Sequence, residues 1–244
     1  MKVLVIGGSG HVGTLVLPHL AVKHSLCVFD LKRPALDTVE YIQGNVCEPD
    51  DLNGVWDGVD ALVYMAMGGH PVVNGDHWAT MQAHTSAFDV NIKGVYIALD
   101  AARKAGLKHT VYTSSMSVYK DNGVNRPGSD EDTPPDADHV YGLTKRMGEE
   151  VCRAACRRWG MSVNALRLCL PVSEEVWMAQ VKPGEPSIMT TASDTASAIL
   201  NALEYRNGFQ AFTISGDYEN RLLSMAKAQS LLQWAPLARP TLTE

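Results

Sequence analysis

The sequence predicts an α/β protein whose central layer is a doubly wound parallel β-sheet. The first observation is a short apolar run, MKVLVI at residues 1–6, which leads through a glycine-rich turn into a pattern of helical periodicity. The second is that apolar runs of strand length alternate with helical patterns as far as residue 168. The third is length, because 244 residues can bury a sizeable core in one domain of this kind.

The first turn carries glycine at three-residue intervals, at Gly7, Gly10 and Gly13. Glycine at these positions allows a tight turn, close approach of backbone N–H groups to a pyrophosphate, and close packing of helix on strand. The spacing is GxxGxxG rather than the GxGxxG of the dinucleotide-binding fingerprint. The assignment of a dinucleotide site therefore depends on the elements that flank the turn. A second apolar run ends at Asp30, close to the separation expected for a carboxylate that binds an adenosine ribose. This order predicts a dinucleotide site.

The residues around Asp30 favour NAD over NADP. A carboxylate accepts hydrogen bonds from ribose hydroxyls and repels a 2′-phosphate. Lys32 and Arg33 follow directly, and basic side chains there could hold the phosphate of NADP. We therefore expect NAD and leave NADP open.

Composition argues against several classes of function. The net charge is −6 without a basic run, which gives nucleic-acid binding no electrostatic support. The chain enters its first strand without a leader pattern and has no apolar run near membrane length, so we expect a soluble, cytoplasmic protein. The five cysteines form no CxxC pair, and His70, His77 and His84 lack a defined ligand spacing, so no metal site is expected.

Later elements follow the same alternation. Their ranges are a helix over 11–23, strands at 38–42 and 60–66, a helix over about 80–105, a strand at 109–113, a loop over 120–139, a helix over about 140–159 and a strand at 161–168. Asn91 and Gly94 fall inside the 80–105 helix, where both lower helix stability. A local function or close packing would account for them.

The helix over 140–159 begins with Tyr141 and Lys145, which four-residue spacing places on one helical face. A tyrosine hydroxyl titrates near pH 10, and a neighbouring ammonium favours its phenolate. Ser114 and Ser115 stand at the end of the 109–113 strand, where substrates bind in parallel sheets. Alone, each group is compatible with a surface or capping role.

Taken together, these motifs resemble the extended short-chain dehydrogenase/reductases, the NAD-dependent epimerase/dehydratase family. The resemblance rests on the glycine turn, Asp30, the Asn91-x-x-Gly94 segment, the Ser114-Ser115 strand end and Tyr141-x-x-x-Lys145, in that order over about residues 1–168.

The resemblance implies catalytic roles for Ser115, Tyr141, Lys145 and Asn91. Tyr141 would exchange a proton with the substrate oxygen, Lys145 would lower the tyrosine pKa and bind the nicotinamide ribose, and Ser115 would bind the reacting oxygen. Asn91 would hold Lys145 through a water relay. The residues expected to bind the cofactor are Gly7, Gly10, His11, Val12, Gly13, Asp30, Asn45, Val46, Met65, Ala66, Tyr141 and Lys145.

Departures from the family pattern narrow the expected reaction. Dehydratases of the family place carboxylates where this chain has Met116 and Ser117, so dehydration is disfavoured. Residues 1–168 are expected to form the dinucleotide-binding (Rossmann) domain, and residues 169–244 a reduced substrate cap interleaved with closing elements of the sheet. A small cap suits a compact substrate, as in uronate dehydrogenases. Arg167 would then either bind a carboxylate or be a buried structural residue.

The leading hypothesis is an NAD-dependent dehydrogenase of a sugar or sugar acid. A sugar or nucleotide-sugar epimerase with retained NAD is the close alternative, and a non-catalytic dinucleotide sensor or partner-binding protein is the alternative from another class. The resemblance also implies a homodimer formed through the helices over 80–105 and 140–159.

Overall fold

The computed structural model describes residues 1–126 and 130–240. The strands are β1 Lys2–Ile6, β2 Ser25–Asp30, β3 Glu40–Gln43, β4 Ala61–Tyr64, β5 His109–Ser115, β6 Ser162–Leu168, β7 Pro171–Val172, β8 Thr190–Thr191 and β9 Phe209–Ile214. Seven of them form one parallel sheet in the order β3-β2-β1-β4-β5-β6-β9. The helices are α1 His11–Ala21, α2 Met81–Phe88, α3 Val95–Lys104, α4 Val140–Trp159, α5 Glu174–Gln180 and α6 Ala192–Glu204. The predicted fold class is confirmed.

Alternating side chains of the strands build two cores, one on each face of the sheet. In β1, Val3 and Val5 belong to one core, whereas Leu4 and Ile6 belong to the other. Helices α1 and α6 cover the first face, and α3 and α4 cover the second. Strand order reverses between β1 and β4, and this switch point leaves a crevice at the carboxyl ends of the strands.

The helix predicted over 80–105 is interrupted by a π-helical turn, Asp89–Gly94, between α2 and α3. A Cβ on Gly94 would lie 2.8 Å from the hydroxyl oxygen of Tyr64, and that hydroxyl donates a 2.6 Å hydrogen bond to the Val90 carbonyl. Close packing therefore accounts for this glycine. The widened turn itself has no signature in the hydrophobic pattern.

The C-terminal part of the chain contributes to two separate sheets. Strand β9 pairs with β6 at the edge of the main sheet, whereas β7 and β8 form a two-stranded sheet of their own. Helix α6 packs on α1. After β9 the chain forms a short helical segment that ends in a π-helical turn, Ala228–Leu232. Residues 127–129 of the predicted 120–139 loop and residues 241–244 lie outside the described residues.

A buried ion pair fixes α4 against the sheet. Arg167 of β6 is fully buried, and its Nε and Nη2 donate to the two carboxylate oxygens of Glu149 at 2.9 and 2.8 Å. The Ser114 hydroxyl donates to the same carboxylate at 2.7 Å, and Arg167 Nη1 donates to the Tyr119 hydroxyl at 2.6 Å. Of the two roles considered for Arg167, the structure shows the structural one.

Glu149→Gln should lower the free energy of unfolding by about 3 kcal/mol, because it leaves the Arg167 charge buried without its counter-charge. Urea unfolding measures this effect. Glu150→Gln is the matched control, since the Glu150 side chain is 61% exposed and pairs with Arg153 at the surface; it should change stability by less than about 0.5 kcal/mol. Equal effects of the two variants would contradict a structural role for the buried pair.

Candidate active site

The glycine turn joins β1 to α1 at the switch point of the sheet. Gly7 has a φ of +85°, and a Cβ there would lie 2.2 Å from the backbone nitrogen of Ala66. A Cβ on Gly13 would lie 2.0 Å from the Gly8 carbonyl oxygen, whereas one on Gly10 would lie 3.4 Å from its nearest neighbour. Two of the three predicted glycines are therefore required by close backbone approach.

The first turn of α1 is open to an anionic ligand. Gly10 precedes the helix, and no side chain among the described residues caps it there. The free N–H groups of a helix N-terminus attract phosphate groups. The turn thus fits the pyrophosphate of a dinucleotide.

The carboxylate of Asp30 fastens this turn to β2. One oxygen accepts a 2.9 Å hydrogen bond from the Ser9 amide, and the other accepts one of 3.2 Å from the Lys32 amide. A carboxylate oxygen has two lone pairs, so each retains capacity for a ribose hydroxyl. The guanidinium of Arg33 lies 4.9 Å from the ring centre of Tyr41.

The other residues predicted to bind cofactor follow the carboxyl ends of β1, β3 and β4, at different depths. Asn45 follows β3, where its side-chain oxygen accepts from the Cys47 amide at 3.0 Å. Val46 and Met65 are buried, and Ala66 lies beside Gly7. The remaining two are at the start of α1. Val12 packs against the core, and the His11 ring reaches the Pro171 carbonyl oxygen at 2.9 Å.

Tyr141 and Lys145 occupy the first two turns of α4, which closely approach the end of β5. A Cβ on Gly142 would lie 2.0 Å from the Ser117 carbonyl oxygen, so glycine is needed beside Tyr141. Lys145 is buried, and its Nζ donates a 2.8 Å hydrogen bond to the Thr113 carbonyl. Ser115 ends β5, and its hydroxyl oxygen accepts from the Ser117 amide at 3.1 Å.

Asn91 ties the π-helical turn to both neighbouring elements. It is fully buried, and its side-chain oxygen accepts from the Gly68 amide at 3.0 Å. Its side-chain nitrogen donates to the Thr144 hydroxyl at 2.9 Å. Asn91 therefore contacts the residue that precedes Lys145, a partner that sequence reasoning did not identify.

Burial shifts the pKa values of Tyr141 and Lys145 in opposite directions. Burial raises the pKa of the Tyr141 phenol, and an interaction with the Ser115 side chain opposes part of the rise. Burial lowers the pKa of the Lys145 ammonium to about 8, against the opposing influence of Cys152 and Glu149. Loss of water around the phenol is thus the largest influence on the Tyr141 pKa in this structure.

Sequence reasoning missed the aromatic neighbour of Tyr141. The indole of Trp78 stacks on the Tyr141 ring, with ring centres 5.4 Å apart and planes inclined by 30°. Trp78 belongs to the polar loop between β4 and α2. In the sequence, Trp78 is marked only as an isolated aromatic residue in the segment that follows Gly68-Gly69.

Two of the three histidines considered as metal ligands face backbone carbonyl oxygens. His77 and His84 face the carbonyl oxygens of Gly69 and Trp78 at 3.3 and 2.9 Å, respectively. Over residues 1–126 and 130–240, no group of three or more His, Cys, Asp and Glu side chains is arranged to hold a metal ion. Within the same residues no helix has both the length and the apolar character needed to span a membrane.

Similar proteins include epimerases and dehydrogenases. An N-acetylglucosaminyl-diphospho-undecaprenol 4-epimerase of Escherichia coli O157:H7 is 32% identical over 153 residues, which cover 62% of this chain and 43% of the relative. A uronate dehydrogenase of Pseudomonas syringae pv. tomato is 27% identical over 174 residues, which cover 68% of this chain and 58% of the relative. The chain thus spans about half the length of these curated relatives.

A solved structure shares the fold over nearly the whole chain. It is a short-chain dehydrogenase/reductase superfamily protein from Agrobacterium tumefaciens with bound NAD, with a TM-score of 0.80 and 22% identity, and the match covers 98% of this chain and 93% of that one. The model of the "NAD dependent epimerase/dehydratase family" matches residues 3–213. The chain therefore belongs to the NAD-dependent epimerase/dehydratase family.

Proposed function

We propose that the protein is an NAD-dependent dehydrogenase that oxidises a hydroxyl-bearing carbon of a sugar or sugar acid, or reduces the corresponding carbonyl. The observation that carries this proposal is the convergence of Ser115, Tyr141 and Lys145 where α4 meets the end of β5. In this proposal, residues 1–168 supply the dinucleotide-binding region and the catalytic groups, and residues 169–244 supply a small substrate cap.

The glycine turn and Asp30 would hold the cofactor. The backbone N–H groups of His11, Val12 and Gly13 in the first turn of α1 would face a pyrophosphate. Gly7 and Gly10 would shape the turn beside it, since their own N–H groups donate to the carbonyl oxygens of Phe29 and Gly7. Asp30 offers free lone pairs to ribose hydroxyls, and Asn45, Val46, Met65 and Ala66 would border the adenosine side. NAD, when bound, supplies the hydride acceptor or donor.

Tyr141 would act as the proton-transfer group, and Ser115 would bind the reacting oxygen. The raised pKa of the phenol keeps Tyr141 protonated at neutral pH, the state that can give a proton to a carbonyl oxygen during reduction. Oxidation requires the phenolate, which takes the proton of the substrate hydroxyl as the carbon loses hydride. The Lys145 ammonium favours that phenolate, and Asn91 positions the same turn of α4 through Thr144.

Two features favour hydride transfer over dehydration and a compact substrate over a large one. Dehydration needs a carboxylate at the position of Met116 or Ser117, and neither side chain has one. Met116 is buried, and the Ser117 hydroxyl donates to the Asn122 side chain at 2.9 Å. The proposed cap contributes short elements, the seven-residue α5 and the two-residue strands β7 and β8. The uronate dehydrogenase relative supports a sugar-acid substrate.

We also propose a cytoplasmic homodimer. Phe88, Tyr96 and Met147 are exposed apolar side chains on the segments α2, α3 and α4, the region through which the resemblance implies pairing. All five cysteines lie within the described residues and are free, as expected in a reducing compartment.

Tyr141→Phe should lower kcat by about 10²–10⁴-fold, the usual contribution of a general acid or base, and leave the Kd for NAD nearly unchanged. Steady-state kinetics give kcat, and calorimetric titration with NAD gives the Kd. Tyr205→Phe is the control, since Tyr205 packs against Phe212 on the opposite face of the sheet. Retained turnover in Tyr141→Phe, or an equal loss of NAD binding, would count against the catalytic assignment.

Lys145→Met should remove a pH-dependent component of stability. The pKa of Lys145 is about 8 in the folded chain and near 10.5 when unperturbed, so the unfolded chain binds more protons between these values. Stability of the parent relative to Lys145→Met should therefore rise by about 2–3 kcal/mol between pH 7 and pH 10. Urea unfolding at both pH values gives the difference.

The exposed Lys23 provides the control for this measurement. Lys23→Met should differ from the parent by the same amount at both pH values. If the difference in unfolding free energy between the parent and Lys145→Met does not change with pH, burial does not lower the pKa of the Lys145 ammonium.

A further inference from the structure

The proposed function leaves unexplained the loop between β4 and α2, residues 65–80, which places an indole on the catalytic phenol. Trp78 and Tyr141 stack with ring centres 5.4 Å apart and planes inclined by 30°. The two residues are far apart in sequence and belong to different elements. Their contact therefore depends on how the 65–80 loop folds back over α4.

Gly69 makes room for the indole. Its φ is +107°, and a Cβ there would lie 2.9 and 3.1 Å from two carbons of the six-membered ring of Trp78. The adjoining Gly68 lets the chain pass α2, because a Cβ there would lie 2.2 Å from the Ser86 carbonyl oxygen. The indole contacts both the backbone at Gly69 and the phenol of Tyr141.

Hydrogen bonds hold the loop on both sides of the indole. The Trp78 amide donates to the Asp76 carboxylate at 2.7 Å, and the His84 ring reaches the Trp78 carbonyl oxygen at 2.9 Å. The Ser86 hydroxyl oxygen accepts from the amides of Gly69 and His70 at 2.9 and 3.0 Å. Both ends of the loop are thus fastened to α2, so the stack is supported by backbone contacts.

We propose that Trp78 positions the Tyr141 phenol and forms a wall of the substrate site, which thereby takes a monosaccharide-sized substrate rather than a sugar that carries a nucleotide. The inference rests on the proposed function. An indole is a large, rigid side chain, and here it covers part of the phenol ring. In this proposal the substrate oxygen lies between the Tyr141 and Ser115 side chains, which interact with each other, and the indole borders the space beside them. A truncated side chain would widen this space and free the phenol to take other rotamers.

The first test needs no substrate. Nitration of Tyr141 by tetranitromethane, followed by peptide mass spectrometry, reports access to the phenol, with Tyr41 on the edge strand β3 as internal reference. Trp78→Ala should raise the nitration rate of Tyr141 severalfold, whereas Trp78→Phe should leave it close to the parent because a ring still covers the phenol. Trp56→Phe, a change in the turn that precedes β4, controls for loss of a tryptophan elsewhere. An unchanged rate in Trp78→Ala overturns the proposal.

The second test compares substrates of two sizes. Trp78→Ala should lower kcat/KM for a free aldose or uronate by about tenfold, mainly through kcat, because a misplaced phenol transfers the proton poorly. The ratio of kcat/KM for the free sugar over that for UDP-glucose should fall, and Trp78→Phe should retain most of both. Unchanged kcat/KM values and an unchanged ratio overturn the proposal.

Cofactor affinity separates this inference from the proposed function. The Kd for NAD should stay within about twofold in Trp78→Ala, since the indole lies on the phenol and not in the glycine turn. Tighter NAD binding would show that the indole occupies cofactor space, and would overturn the proposal. If Tyr141→Phe retains parental turnover, the proposed function fails, and the nitration rate still decides whether Trp78 covers this phenol.

Discussion

The position of α4 against the ends of β5 and β6 is the constraint on which the site depends. Two glycines allow the helix to approach, since a Cβ on Gly148 would lie 2.4 Å from the Tyr112 hydroxyl and one on Gly142 would meet the backbone after β5. The buried Glu149–Arg167 pair then fixes the distance and the rotation of the helix. Because a guanidinium and a carboxylate paired through two bonds have one favourable geometry, the pair sets the register of the helix as well as its depth.

This placement has an energetic cost at the site itself. It buries Lys145, and the depressed pKa of the ammonium reflects that cost. The hydrogen bond to the Thr113 carbonyl recovers part of it. Catalytic groups commonly have such perturbed pKa values, because burial that disfavours a charge also strengthens its effect on a neighbour. The same burial raises the pKa of Tyr141, so the placement of α4 shifts the pKa values of both the phenol and the ammonium.

Local features were predictable from the sequence, whereas contacts between distant elements were not. The strand, glycine turn and helix at the N-terminus follow from short-range pattern, and the structure shows why Gly7 and Gly13 must lack a side chain. The bonds from Asn91 to its partners depend on a π-helical turn that hydrophobic periodicity does not report. The stack of Trp78 on α4 depends on a polar loop, where no periodic pattern fixes the path of the chain. The rise in the Tyr141 pKa was not predictable, because spacing along a helix reveals a neighbouring charge but not the loss of water.

The stoichiometry of cofactor reduction tests the proposed dehydrogenase activity most directly. Purified protein is incubated with free NAD and a panel of aldoses and uronates, and the NADH formed, the sugar consumed and the sugar products are quantified together. An NAD-dependent dehydrogenase should form net NADH in equal amount to the sugar oxidised, with cofactor that exchanges freely. Conversion of a sugar to its epimer without net NADH, by protein that retains its nucleotide, would contradict the dehydrogenase assignment.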